Sequence, residues 1–168
     1  DVEIADFPGG AKSLQALIGG SAAFAAGAFE HVLNMQAKGQ AVQAVTLMAR
    51  YPGMVLALPA GKGAGYHSAA DLKGLKVGVT APGSSTHMFL NHVLGGAGLG
   101  ADDVAVIGVG AGASAIAAMR RGEIDALVHL DPVIHQLEAA GAVDVVLDTR
   151  TAAGATAVYG GPYHASCL

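Results

Sequence analysis

The segment Val77-Gly-Val-Thr-Ala-Pro-Gly-Ser-Ser-Thr86 carries the clearest chemical signal in the chain: an apolar strand runs into a small-residue loop that opens a helix. The N–H groups of a helix's first turn have no intrahelical partner, and ligands of open α/β sheets bind at the carboxyl ends of the strands. Gly83 and the hydroxyls of Ser84, Ser85 and Thr86 therefore form a predicted pocket for a carboxylate, a sulfonate or a similar anion. Plain helix capping by Ser84 or Ser85 is the structural use of the same hydroxyls.

A second turn, Gly108-Val-Gly110-Ala111-Gly112-Ala113, also follows a strand and precedes a helix. Its glycine spacing satisfies the dinucleotide-binding pattern, with Asp131 at roughly the expected distance for an acid on the ribose. A nucleotide domain places that strand first, whereas here a full strand and helix come before it. Gly110, Ala111 and Gly112 are accordingly read as a second helix-terminal contact for an anion. Asp131-Pro132 starts another helix, where capping alone accounts for the acid. Glu30-His31 sits at an equivalent helix start, so Asp131, Glu30 and His31 are further cleft candidates.

No catalytic set emerges. The seven histidines include no His-Glu-x-x-His, and His87 and His92 fall on different helix faces, so no metal site is expected. No Gly-x-Ser-x-Gly elbow is present, and the single cysteine, Cys167, lacks an evident partner. We expect no catalytic residue and no cofactor.

The elements that must position these loops alternate. The spacing predicts strands at Val2–Phe7, Ser21–Ala26, Ala41–Met48, Val55–Leu58, Lys76–Thr80, Val104–Val109, Ala126–Leu130 and Val143–Leu147. Helices are predicted at Ala11–Ile18, Phe29–Lys38, Thr86–Leu94, Ser114–Arg121 and Pro132–Ala140, with a looser tail from Thr149. Such alternation, punctuated by many of the 25 glycines, reads as α/β with parallel sheets. A shift of 102 positions pairs Gly10-Ala11 with Gly112-Ala113, Gly20 with Gly122, and Ala37 and Gly39 with Ala139 and Gly141. Two similar units facing one cleft make a ligand clamp.

With 52% hydrophobic and 13% charged residues the chain can bury a core. Its net charge of −4, without a basic run, excludes a nucleic-acid partner. The most apolar stretch, Leu14 to Leu33, is interrupted by Gly19, Gly20, Glu30 and His31, short of the roughly 20 residues of a membrane span. The chain opens on Asp1-Val-Glu-Ile4 without a leader, so a removed export signal or a missing start is expected.

Ala70-Asp-Leu-Lys-Gly-Leu-Lys-Val-Gly-Val79, Ala81-Pro-Gly-Ser-Ser-Thr86, Ala117-Ala-Met-Arg-Arg-Gly-Glu-Ile-Asp-Ala126 and Asp131-Pro132 together resemble the nitrate/sulfonate/taurine/bicarbonate group of ABC-transporter substrate-binding proteins, which also includes thiamine-precursor binders. Gly9-Gly10 and Leu17-Ile-Gly-Gly-Ser-Ala22 fit the same family, whose lobe one contacts ligand, here through Gly10 and Ala11. The resemblance implies a type II periplasmic-binding-protein fold with two parallel-sheet lobes, a hinge and an interlobe cleft. It implies lobe one at 1–60 and 154–168, lobe two at 68–150, and hinge crossings at 59–67 and 148–154.

Further implications are capture of a small anionic solute by lobe closure, a permease partner in the inner membrane, a monomer, and a periplasmic or membrane-tethered location. Two departures stand out: Ala23 replaces the usual Asp, and family chains are far longer. An enzyme on the same fold, such as a pyrimidine-precursor synthase or small-acid lyase, and a regulator's ligand-sensing domain are the competing readings.

Overall fold

The computed structural model describes residues 1–7 and 9–168. In chain order the elements are helix α1 (Gly10–Ile18), strand β1 (Gly27–Ala28), helix α2 (Glu30–Ala37), strands β2 (Val55–Pro59) and β3 (Lys76–Val79), and helix α3 (Ser85–Gly96). They continue with strand β4 (Ala105–Gly108), helix α4 (Ala113–Arg120), strand β5 (Ala126–His129), helix α5 (Val133–Ala139), strand β6 (Val143–Asp148), helix α6 (Ala152–Tyr159) and strand β7 (Ser166–Cys167).

Five strands form one sheet in the order β4-β3-β5-β2-β6. The inner strands β2, β3 and β5 are nearly unbroken apolar runs, the pattern of strands covered on both faces. Their alternate side chains divide accordingly. Leu56, Leu58, Val77, Val79 and Val128 pack with Phe89, Leu90, Val93 and Leu94 of α3, whereas Val55, Ala57 and Leu127 pack with Ala115, Met119, Ile134 and Leu137 of α4 and α5. No helix among the described residues is long and apolar enough to cross a membrane.

The α/β class expected from the sequence is observed, but the sheet is mixed rather than parallel. Strand β3 runs parallel to β4 and β5, whereas β2 runs antiparallel to both β5 and β6. The reason is the direction of entry. Val55, the first residue of β2, pairs with His129 and Asp148, the last residues of β5 and β6, so the chain enters the sheet from the edge at which its neighbours leave. Strand β2 is therefore a central strand of this sheet, not part of a separate first unit. The connection after it also stays with the sheet, since Gly63 N–H donates to Asp144 at 2.8 Å.

The first unit departs further from expectation. Helices α1 and α2 form as predicted, but the segments 2–7, 21–26 and 41–48 do not form strands. Val2 and Ile4 remain 89% and 83% exposed. A helix closes its own hydrogen bonds, whereas a strand needs a neighbour's N–H and C=O groups. Among the described residues of this unit, strand pairing is confined to the two-residue antiparallel ladder of β1 with β7 and a bridge between Leu47 and Cys167, where Met48 N–H also donates to the Ser166 carbonyl at 2.8 Å.

The tail read as loose contains α6. Its Thr151 hydroxyl accepts the Gly154 N–H at 3.1 Å, and Ala155 is buried beneath it. The Ala- and Gly-rich composition hides this helix because small residues carry little amphipathic pattern.

Candidate ligand-binding cleft

The sheet edge where β3, β5 and β6 end and β2 begins faces the β1–β7 ladder and the start of α1. Between them lies a cavity of about 320 Å³. Gly10 and Ala26–Ala28 form one wall, Ser85 and Leu130 the opposite wall, and Met48, Pro52 and Met54 the side along the chain crossing. Ala165 and Ser166 close the remaining side. No charged side chain lines this cavity among the described residues. Its chemistry is hydroxyl, backbone amide and apolar surface.

The Thr80–His87 loop is built from the strand end outward. Thr86 is fully buried, and its Oγ1 accepts the Thr80 N–H at 3.0 Å and shares a hydrogen bond with Thr80 Oγ1 at 2.8 Å. The Gly83 N–H donates to His87 Nδ1 at 2.9 Å, and burial pulls the His87 imidazole below its usual range, which keeps that nitrogen an acceptor. Gly83 and Thr86 thus hold the loop in shape.

Ser84 and Ser85 do something different. Ser84 is 1% exposed, makes no capping hydrogen bond, and its hydroxyl has no partner. Ser85 lines the cavity. The N–H groups of Ser85, Thr86 and His87 precede the first bond of α3, from Met88 N–H to Ser84 C=O, and so remain the helix's unpaired donors. Gly9 packs against this loop, where an added methyl would stand 3.2 Å from Ser84 Oγ.

Replacing Thr86 by Val, which keeps the shape and removes the hydroxyl, should leave the buried Thr80 N–H unpaired and cost about 1–3 kcal/mol. Urea unfolding measures it, and an unchanged midpoint would mean that this hydroxyl does not hold the loop.

The other expected residues are distributed as follows. Gly10 reaches the cavity; Ala11, half-buried one position on, does not. Gly110 lies beside the loop, its N–H on Thr80 C=O at 3.0 Å and its C=O accepting from His129 Nε2 at 2.9 Å, so its backbone is engaged internally. Ala111 and Gly112 are exposed and lie outside the cavity. Asp131 is turned toward α5, where Oδ1 accepts the His135 N–H at 3.0 Å, and it stands 3.6 Å from Arg150. Arg150 is held chiefly by Asp148 and Glu138, and its hydrogen bonds pull the Asp148 carboxyl below the usual range. Leu130, not Asp131, is the β5-end residue in the cavity wall.

Glu30 and His31 are both buried and both lie outside this cavity, opening into two others. His31 faces a space of about 370 Å³ beneath α1, and burial lowers its pKa. Burial pushes the Glu30 carboxyl up to about 7.

Met48, Pro52, Met54, Leu130 and Ser166 carry no chemical motif. They reach the cavity only because the chain crosses at 49–54 and its tail returns to β1, which no local pattern records.

The family model described as NMT1/THI5 like matches residues 1–160. Among solved structures, a protein from Bordetella bronchiseptica RB50 is 49% identical with a TM-score of 0.90, over 99% of this chain and 52% of its own. The alkanesulfonate-binding protein SsuA from Xanthomonas axonopodis pv. citri, bound to MOPS, is 27% identical with a TM-score of 0.70, over 87% of this chain and 50% of its own. The periplasmic aliphatic sulphonate binding protein SsuA from Escherichia coli is 30% identical with a TM-score of 0.64, over 84% of this chain and 48% of its own. No curated protein matches the chain. The chain thus spans about half the length of these solved relatives. Its architecture is the α/β, type II periplasmic-binding-protein fold, with a mixed sheet, and by the match over residues 1–160 the chain belongs to the NMT1/THI5 like family.

Proposed function

We propose that this chain is the solute-capturing part of an ABC importer's extracytoplasmic binding protein, and that its solute is a small anion with an apolar substituent, an organosulfonate first of all. One observation carries the reading. At the start of α3 Ser85 lines an uncharged cavity whose other walls include Met48, Met54, Pro52 and Leu130, and beside it stand the helix's unpaired N–H groups and the buried, partnerless Ser84 hydroxyl. An anionic head on the amides and a hydrocarbon body against the methionines match that division. The likeness to sulfonate-binding relatives at 27% and 30% identity supports the same class.

In this reading one lobe comprises residues 1–54 and the tail after Gly160, and the other runs from Val55 to about Arg150, with α6 over the return crossing. The pairing of β2 with β5 and β6 supports putting this boundary at 54 rather than at 60. Closure of the lobes on the solute needs no covalent step and presents the closed form, as a monomer in the periplasm, to a permease in the inner membrane.

The test is a thermal-shift series with alkanesulfonates, taurine, aromatic sulfonates, nitrate and bicarbonate against sodium chloride of equal ionic strength. A ligand at 100 times its Kd adds about 2.7 kcal/mol, roughly 5–10 °C for a domain of this size. We expect such a shift with an organosulfonate and its loss in the Ser84→Ala, Ser85→Ala double variant. No shift with any anion for the folded protein would refute the reading.

A further inference from the structure

Glu30 heads α2 with only 8% of its surface exposed, and neither carboxylate oxygen has a hydrogen-bond partner. None of the ion pairs among the described residues includes it. Its side chain opens into a pocket of about 160 Å³ between α2, α3 and α6 that shares no lining residue with the cleft.

Aromatic rings line this pocket. Tyr159 stacks on Tyr163 at 4.0 Å between ring centroids and on His92 at 4.9 Å, with Phe89 edge-on at 6.2 Å. Met88 supplies a thioether. The Tyr159 hydroxyl is also buried without a partner. His92 Nε2 donates to the Val158 carbonyl at 3.1 Å, which leaves its ring no proton to offer Glu30 from that nitrogen.

A buried carboxylate without a counter-charge costs several kcal/mol, and the buried Tyr159 hydroxyl in the same pocket likewise has no partner. Every feature of the pocket therefore favours a positive occupant that donates hydrogen bonds. The volume is below the roughly 300 Å³ at which drug-sized sites begin, so it admits a single head group.

We propose that the Glu30–Tyr159–Tyr163 pocket binds a small organic ammonium ion, its N–H groups on the Glu30 carboxylate and its alkyl part among the rings that line the pocket. Because this reading places α2 in the first lobe, α3 in the second and α6 over the return crossing, an occupant ties the two lobes together beside the cleft. The titratable groups near Glu30 are His31 on its own helix, His92 on α3, Tyr159 on α6, and Tyr163 and Cys167 in the tail. Burial and the Glu30 charge push both tyrosines and the cysteine up in pKa, which keeps them neutral, and burial holds the His31 imidazole toward its uncharged form.

The experiment is a thermal-shift and calorimetric titration of the whole chain with methylammonium chloride, against sodium and potassium chloride at equal ionic strength. At pH 8, with Glu30 ionised, methylammonium should raise Tm by several degrees beyond either salt. At pH 5.5, where the carboxyl holds its proton, affinity should fall at least tenfold. Glu30→Gln should abolish the response, and Tyr163→Ala, which keeps the carboxylate, should weaken it at least fivefold. Equal Tm in all three salts at pH 8 would overturn the proposal, as would a response retained in Glu30→Gln or, should that variant not fold, an undiminished response in Tyr163→Ala. Ser84→Ala with Ser85→Ala should leave the methylammonium response unchanged, so failure of anion capture in the cleft and failure of this site are separately visible.

Discussion

Gly154→Ala should destabilise the protein by about 3 kcal/mol or more, the largest loss expected from adding a single methyl anywhere in the chain. Gly154 lies in the first turn of α6, where its N–H is taken by Thr151 Oγ1 and its Cα faces the end of β6. A methyl there would overlap the carbonyl oxygen of Asp148, which is backbone and cannot rotate away. Relief requires α6 to lift off β6, and that movement would also disturb Tyr159 at its far end. Gly95→Ala is the matched control: a methyl at that position in α3 meets nothing, and helix propensity alone makes the change neutral or favourable by up to about 1 kcal/mol. Urea unfolding of both variants decides the matter. A Gly154→Ala protein within 1 kcal/mol of wild type would show that α6 does not dock on β6 so closely.

The second large effect has the opposite sign. Glu30→Gln should raise stability at pH 8 by about 2 kcal/mol and change the shape of the stability–pH curve. The folded carboxyl titrates near 7 against 4.5 in its ordinary state, so between those values the folded protein holds a proton that the unfolded chain has lost. Stability from Glu30 is therefore complete below pH 4.5, declines as pH rises toward 7, and is absent above it; a shift from 4.5 to about 7 corresponds to about 3 kcal/mol. Glutamine keeps the volume without the charge, and its own buried amide offsets part of the gain.

His31 acts the other way. Burial lowers its pKa, so the unfolded chain takes up a proton first as pH falls through 6.5, and stability is lost toward acid. In wild type the two slopes partly cancel between pH 4.5 and 6.5. With Glu30 removed, the slopes of His31 and of the likewise buried His87 should remain, rising with pH and flattening above neutrality. Urea midpoints from pH 4 to 8 measure both curves, and a Glu30→Gln protein less stable than wild type at pH 8 would show the carboxylate to be satisfied in the folded state.

What could be read without the structure follows from how far each hydrogen bond reaches. Helices α1 and α2 correspond to α4 and α5 under the 102-residue shift, and all four form where expected because their bonds span only a few positions of the chain. The loop from Thr80 to His87 is legible for the same reason: glycine, two serines and a threonine at a strand end specify a helix start whose donors face outward. Even there the roles separate only in three dimensions. Thr86 turns inward to Thr80, Gly83 is engaged by His87, the Ser84 hydroxyl is buried without a partner, and Ser85 lines the cavity.

Strands obey a different rule, since each depends on a partner that its own residues do not name. The alternation at Val2–Phe7 equals that of the matching segment around β4, yet β4 lies beside β3 and the earlier segment lies beside no strand. Strand β2 reads like any apolar run, and its direction was decided by the edge from which the chain enters. Asp131, Glu30 and His31 were visible as acids and a base at helix starts, but burial and the neighbouring Arg150, Tyr159 and Gly10 determined which way each faces. By itself the sequence determined the α/β class, helices α1 to α5 and the glycine- and hydroxyl-rich start of α3, all written in local bonds and side-chain period. Tertiary structure alone decided the mixed sheet, the methionine-walled cavity and the uncompensated carboxylate of Glu30, because pairing, burial and counter-charge are properties of residues far apart in the chain.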